Sequence, residues 1–140
     1  MIYFVDFDGT IIPDIKFVDD TQFHNDTMNS QIYLTKEEID EYNNNQTYIL
    51  TDRPQDDLDL VKLFCEQRVK LCVYDYLSSY GLNFINPSTR RKIILKKAAL
   101  MVLNTFNNDT NQFDKCFYID KDIQYMIDIT KCYQRMIKLV

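Results

Sequence analysis

Two aspartates one residue apart follow the first apolar run of the chain. The sequence opens MIYFVDFDGTII, so Asp6 ends the run IYFV and Asp8 lies two residues further on. Thr51 and Asp120 follow the apolar runs YIL and CFYI in the same way. Carboxylate and hydroxyl oxygens can bind a hard cation, attack an electrophilic centre or transfer a proton. These residues are therefore the first candidates for a chemical function.

The elements that must position these residues alternate between strand and helix patterns. Strands are predicted at 2–6, 47–51, 69–74, 115–120 and 136–140. Helices are predicted from Thr35, where Thr35 and Glu38 form a capping box, and at 56–67, 89–105 and 123–129. Residues 11–34 are expected to be irregular. This alternation predicts an α/β fold in which helices cover both faces of a mostly parallel sheet.

The carboxyl ends of parallel strands meet at one edge of a sheet, where ligands gather. The four polar residues named above are thus expected to converge there from distant parts of the chain. Carboxylates a few ångströms apart raise one another's pKa unless a cation shares them. A hard divalent cation, Mg²⁺, takes oxygen ligands and resolves this conflict. The sequence therefore predicts a magnesium site at this edge.

Length and composition favour one domain over residues 1–140. The chain has 140 residues, 46% of them hydrophobic, which is enough for a single core. Charges interrupt its longest apolar stretches and no basic segment precedes the first, so we expect a soluble, cytoplasmic protein without a membrane span or signal peptide. The four cysteines are widely spaced, which fits reduced thiols better than a zinc site or disulfides.

Scarce residue types disfavour several functional classes. With two glycines, Gly9 and Gly81, the chain cannot form a glycine-rich dinucleotide turn or a Walker-type loop. The single histidine, His24, lies in a polar stretch, which disfavours a Ser-His-Asp or Cys-His hydrolase. The net charge of −5 disfavours a general nucleic-acid coat, although the segment STRRKIILKK places five cations within ten residues.

The polar residues also match a family pattern. The stretch Asp6-Phe7-Asp8-Gly9-Thr10 resembles motif I of the haloacid dehalogenase-like phosphatases. Thr51 resembles the motif II residue of that family, and Asp120 the motif IV acid. Lys96 resembles the motif III lysine, with Lys92 as the alternative. The resemblance spans the chain and implies a single Rossmann-like domain.

This resemblance implies a Mg²⁺-dependent phosphomonoesterase. Asp6 would attack phosphorus to give an aspartyl-phosphate, and Asp8 would act as general acid and then as general base. Asp6, Asp120 and the backbone carbonyl of Asp8 would bind the metal. The phosphoryl oxygens would be held by side chains and by loop amides that the turn at a glycine exposes. The residues implied in substrate or phosphoryl binding are Gly9, Thr10, Thr51 and Lys96.

The spacing of the motifs bears on the substrate. The intervals between motifs I, II and III leave no room for a large cap domain, so the substrate is expected to bring its own bulk. A phosphorylated macromolecule such as a nucleic-acid 3′-phosphate end fits this expectation. Asp52-Arg53 occupies the place of a Gly-Arg pair in phosphatases of nucleic-acid ends, so both residues are implied in substrate binding. Arg53, Arg90 and Arg91 would contact the polymer backbone, unless Arg90 and Arg91 are solvated surface charges. Phosphoproteins and small metabolites are alternatives.

Other interpretations stay open at the sequence level. Thr51 and Asp120 could each cap a following helix. Motif IV of the family usually has a second acid, and here Asp122 is the nearest candidate. A rival function is an interaction module of the same fold that has lost turnover. Retention of both Asp6 and Asp8 argues against that rival.

Overall fold

A computed structural model describes residues 1–78 and 116–120 of the chain. Helices and strands alternate in this part. In chain order they are β1 (Ile2–Asp6), α1 (Asp20–Met28), α2 (Lys36–Asn43), β2 (Gln46–Thr51), a 3₁₀ turn (Gln55–Asp57), α3 (Leu58–Leu63), a π-helical turn (Phe64–Val69), β3 (Asp75–Ser78) and β4 (Cys116–Ile119). The α/β class predicted from sequence is confirmed.

The four described strands form one sheet in which every neighbouring pair is parallel. Their order across the sheet is β3-β2-β1-β4, so β1 has a partner on each side. Val5 of β1 lies opposite Ile49 of β2 and opposite Ile119 of β4. This common register brings the carboxyl ends of the three strands level with one another.

One face of the sheet packs against the described helices. Phe7 lies edge-on to Phe64, with 5.9 Å between the ring centroids, and Tyr3 meets Tyr42 of α2 in the same way at 5.1 Å. Residues of β1, β2, α2, α3 and the π-helical turn share this apolar cluster: Tyr3, Val5, Tyr42, Ile49, Val61 and Phe64. Burial of this surface from water is the main force that holds the helices to the sheet.

The other face of the sheet is also buried. Phe4 of β1 lies between Tyr48 of β2 and Tyr118 of β4, with ring centroids 5.0 and 5.2 Å apart and ring planes 15° apart. Phe4 and Tyr48 are fully buried, and Tyr118 is 7% exposed. A central strand with apolar residues on both faces explains why the first apolar run has no polar alternation.

Several elements match the sequence prediction closely. β1, β2 and β4 lie where strands were predicted. α2 begins after Thr35, whose side chain accepts a hydrogen bond from the Glu38 amide while the Glu38 carboxylate accepts one from the Thr35 amide. The helix predicted at 56–67 is present, but it starts as a 3₁₀ turn and ends as a π-helical turn.

Two predictions of local structure were wrong. Residues 11–34 are not wholly irregular, because α1 begins after Asp19, whose carboxylate accepts a hydrogen bond from the Gln22 amide. The third strand is Asp75–Ser78 and not 69–74. The preceding helix continues to Val69 and ends at Lys70, which adopts a left-handed conformation with φ of 64°. The apolar residues at 69–74 therefore belong to the end of a helix and to the loop that connects it to β3.

Other predicted elements cannot be compared. The helices at 89–105 and 123–129 and the strand at 136–140 lie outside the described residues. Within residues 1–78 and 116–120, no helix has both the length and the apolar character needed to cross a membrane. The assignment of residues 1–140 to one domain stays a prediction.

Candidate active site

The strand order defines where a ligand would bind. From β1 the chain passes to β2 and β3 on one side, whereas β4 pairs with β1 on the other side. In open parallel sheets a crevice forms at the carboxyl ends of two strands whose connections run in opposite directions. Here those strands are β1 and β4. Asp6 ends β1 and Asp120 follows β4, so both acids lie at this position.

The Asp6 carboxyl group has a strongly raised pKa. Burial, followed by the charge of Asp120, raises its pKa from 3.8 to about 8. Asp8 and Asp52 raise this pKa further, whereas a hydrogen bond from the Thr10 hydroxyl to the Asp6 carboxylate, 3.2 Å long, lowers it. The predicted convergence of carboxylates at this sheet edge is therefore present in the structure, and its electrostatic cost falls on Asp6.

The loop after β1 turns sharply at Gly9. Gly9 has φ of +83°, and a Cβ atom at this position would lie 3.1 Å from a carboxylate oxygen of Asp14. Both the backbone conformation and the close neighbour require glycine. The Gly9 amide donates to the Ile12 carbonyl and the Thr10 amide to the Phe7 carbonyl, at 2.8 and 3.2 Å. These two amides thus bond within the loop, and the expected role of loop amides in facing a phosphoryl group stays a prediction.

Thr51 lies at the end of β2, beside the loop that follows β1. It is 3% exposed, and its hydroxyl oxygen accepts a hydrogen bond from the Arg53 amide at 3.1 Å. This contact shapes the turn after β2 and is not a cap on the helix that begins further along the chain. Asp52 is exposed, and its charge acts on Asp6.

Arg53 occupies a position that its sequence context did not predict. We expected it to contact a nucleic-acid backbone, but it is 3% exposed and its guanidinium binds Asp8 through two parallel hydrogen bonds. Nε donates to one carboxylate oxygen at 2.9 Å and Nη2 to the other at 2.8 Å. The predicted contact with nucleic acid stays a prediction. In this structure Arg53 holds Asp8.

Helix α1 supports this arginine from the opposite side. Nη1 of Arg53 donates to the Thr27 hydroxyl at 2.9 Å, and that hydroxyl donates to the Phe23 carbonyl at 2.8 Å. The guanidinium carbon lies 4.2 Å from the centroid of the Phe23 ring and 5.2 Å from that of Phe7. Phe23 and Thr27 were not predicted from the sequence as site residues, because α1 itself was not predicted. The helix-capping residue Asp19 was the sequence signal that could have predicted α1.

A cavity of about 1110 Å³ opens beside Asp8, between the start of α1 and the segment that leads into α3. Its described lining includes apolar side chains such as Phe17, Phe23 and Leu60. Seven aspartates line it as well: Asp8, Asp14, Asp20, Asp52, Asp56, Asp57 and Asp59. Among the described lining residues only Arg53 and His24 can be cationic, and Arg53 is already bound to Asp8. The cavity is therefore strongly acidic.

The donor set suits a magnesium ion better than a softer metal. Mg²⁺ is commonly held by one or two carboxylates together with waters and substrate phosphate. Asp6 and Asp120 supply two carboxylates whose repulsion a cation would relieve. In the described part of the chain, no three acid, thiol or imidazole side chains form a ready-made metal cluster. Asp6 and Asp120 would hold such an ion, with water completing its ligands.

Other predicted site residues lie outside the described residues. These are Lys96 and its alternative Lys92, the two arginines Arg90 and Arg91, and Asp122. Their assigned roles stay predictions.

Comparisons of the chain with protein-family models, with curated proteins and with solved structures returned no match. The functional interpretation depends on the residues and contacts described above.

The raised pKa of Asp6 predicts a pH-dependent cost to folding. Because this pKa is about 8 in the folded chain and 3.8 ordinarily, the folded state binds the proton more tightly. That contribution to stability is complete below about pH 4 and is lost as the pH rises to about 8. Without divalent cations, Asp6→Asn should therefore raise Tm at pH 8 by about 3 °C, the shift expected from roughly 1 kcal/mol. Thermal unfolding at pH 5 and pH 8 measures this difference.

The exposed Asp40→Asn variant on α2 is the matched control, since it removes one carboxylate away from the site. Its effect on Tm should be small at both pH values. A gain for Asp6→Asn that is the same at pH 5 and pH 8 would show that Asp6 does not titrate between them.

Proposed function

We propose that this chain is a Mg²⁺-dependent phosphomonoesterase of the haloacid dehalogenase-like type. The main support is the position of Asp6, a partly buried acid beside Asp120 at the switch point of the sheet. A carboxylate cluster of this kind is stable at neutral pH once a cation shares it. The proposal takes residues 1–140 as one Rossmann-like domain without a large cap, located in the cytoplasm.

The first half of the proposed reaction forms a covalent intermediate. A carboxylate oxygen of Asp6 attacks phosphorus in line with the ester oxygen, and the bond between phosphorus and that oxygen breaks. The bonding electron pair stays on the leaving oxygen, which takes the proton from the Asp8 carboxyl group. The products of this half are an alcohol and an aspartyl-phosphate at Asp6.

The second half regenerates the protein. Asp8, now ionised, accepts a proton from a water molecule as the water oxygen attacks phosphorus. The bond between phosphorus and Asp6 breaks, which releases inorganic phosphate and restores both carboxyl groups to their starting states. Thr51 and Lys96 are proposed to hold phosphoryl oxygens throughout. When bound, Mg²⁺ supplies positive charge that shields the attacking carboxylate from the anionic phosphoryl group.

The acidic cavity favours one class among the candidate substrates. A nucleic-acid 3′-phosphate end carries a negative charge at each flanking phosphate, and seven aspartates on the described lining would repel it. A phosphorylated peptide with lysine or arginine near the phosphate would be attracted instead. This observation makes a phosphoprotein phosphatase the second candidate function, beside the nucleic-acid end predicted from Arg53, Arg90 and Arg91.

The motif I acids provide the direct test of the mechanism. Asp6→Asn removes the nucleophile and Asp8→Asn removes the acid and base, so each should lower phosphate release at least about a thousandfold. Phosphate release from p-nitrophenyl phosphate, measured with Mg²⁺ and with EDTA, gives both the mutant effect and the metal requirement. Near-normal turnover by Asp6→Asn would rule out the covalent mechanism. A folded wild-type chain that is inactive on every phosphate ester would favour the interaction module.

A pair of lysine variants tests the residue predicted to hold the phosphoryl group. In the helix predicted at 89–105, adjacent residues would point about 100° apart, so Lys96 and Lys97 would not both face the site. Lys96→Ala should lower kcat at least about tenfold, the lower range for loss of one transition-state contact, while Lys97→Ala changes it little. Equal activity of the two variants would transfer the role to Lys92.

The substrate class is tested by comparing kcat/KM for substrates of opposite charge at low and at high salt. A phosphopeptide flanked by lysines should exceed the same peptide flanked by glutamates about tenfold in kcat/KM at low salt, and the two should converge as salt screens the cavity. A 3′-phosphorylated oligonucleotide is measured alongside. Higher activity on the oligonucleotide, with a salt dependence that Arg90→Ala and Arg91→Ala flatten, would establish the nucleic-acid end as the substrate and overturn the phosphopeptide prediction.

A further inference from the structure

The pairing of Arg53 with Asp8 is more elaborate than an ordinary surface ion pair. Two guanidinium nitrogens meet both oxygens of one carboxylate, at 2.9 and 2.8 Å. The Arg53 side chain is 2% exposed and that of Asp8 is 16% exposed. Such a parallel pair fixes the plane of the carboxylate as well as its distance, which a single hydrogen bond cannot do. Arg53 therefore determines the direction in which Asp8 faces.

The surroundings of Arg53 leave it little freedom to act elsewhere. Its third bonded nitrogen, Nη1, binds Thr27, and the guanidinium lies against Phe23 and Phe7. An arginine that contacts a polyanion needs an accessible guanidinium, and this one is buried between α1 and the loop after β1. Its position points to an effect on the substrate through Asp8.

We infer that Arg53 is a positioning residue that aims Asp8 at the leaving oxygen, and that α1 is the element that holds Arg53 in place. This inference rests on the proposed phosphomonoesterase function and adds a role for α1. Asp8 lines the cavity in which a leaving group would lie. Arg53 lines the same cavity, so the Asp8–Arg53 pair lies at its wall, where the leaving group would be.

The chemistry of the leaving group separates this role from a merely structural one. As the phosphorus–oxygen bond breaks, an alkoxide or phenoxide of high pKa needs the Asp8 proton, whereas 2,4-dinitrophenolate leaves as a stable anion. Misplacing Asp8 should therefore slow a poor leaving group and spare a good one. A general loss of folding or phosphate binding would slow both substrates alike.

The experiment compares kcat/KM for phenyl phosphate and for 2,4-dinitrophenyl phosphate with saturating Mg²⁺. The ratio of interest is kcat/KM for phenyl phosphate divided by kcat/KM for 2,4-dinitrophenyl phosphate. In Arg53→Met this ratio should fall about a hundredfold, the scale of a misplaced acid catalyst. Arg53→Lys, which keeps the charge without the two parallel bonds, should recover part of that loss. Combined with Asp8→Asn, the Arg53→Met change should produce no further fall in the ratio.

The matched control is Arg68→Met. Arg68 also binds the end of α1, because its guanidinium donates to the carbonyl of Met28 and to that of Ser30. It lies over the Phe64 ring. Its described interactions include no contact with Asp8. The ratio should be unchanged in this variant. If Arg53→Met does not fold, Thr27→Val provides the test, because it removes the acceptor for Nη1 and retains the buried methyl group. Its ratio should fall about fivefold, a partial loss of positioning.

Two outcomes would overturn the positioning role and leave the proposed function intact. One is an equal fall in kcat/KM for both substrates in the Arg53 variants. The other is a ratio that is unchanged both in Thr27→Val and in Arg53→Lys. Failure of the wild-type chain to release phosphate from either ester would instead overturn the proposed function. The two failures are thus distinguishable in one set of assays.

Discussion

Parallel pairing of β1 with a strand on each side is the constraint on which the candidate site depends. Because β2 and β4 share one register on β1, their carboxyl ends lie level, and residues far apart in sequence meet there. The order of the strands also places a change of chain direction between β1 and β4. Asp6 and Asp120 lie together for this topological reason, and their mutual repulsion is a consequence of the sheet.

This repulsion has two different solutions at neighbouring aspartates. Burial, followed by the charge of Asp120, raises the pKa of Asp6 to about 8, so its ionised form is disfavoured in the folded chain. Asp8, two residues later, is paired with a buried guanidinium. Removing one partner of such a buried pair typically costs about 3–5 kcal/mol, so Arg53 and Asp8 constrain one another strongly. The second acid is thus paired with a cation of the chain itself, whereas the cation for the first is the proposed Mg²⁺.

Helix α1 changes the interpretation of the region between the first two strands. The interval is too short for a large cap, yet α1 contributes Phe23 to the cavity wall and Thr27 to the contact with Arg53. A small helix therefore covers one side of the site that was expected to be open. The acidic cavity at its edge also gives the site a charge preference that the basic segment STRRKIILKK did not suggest.

Local patterns in the sequence were sufficient for the strands and for the identity of the acids. The apolar runs at β1, β2 and β4 and the capping box at Thr35 depend on neighbouring residues alone, and the structure has them where they were predicted. The site residues Asp6, Asp8, Thr51 and Asp120 follow from the rule that strand ends converge.

Tertiary structure decided the rest. The run at 69–74 became a helix end and a loop because the preceding helix continues to Val69, and the pairing of Arg53 with Asp8 joins residues that are 45 positions apart. No local pattern reports such a contact, because it forms only when the sheet brings the two loops together and α1 buries the arginine between them.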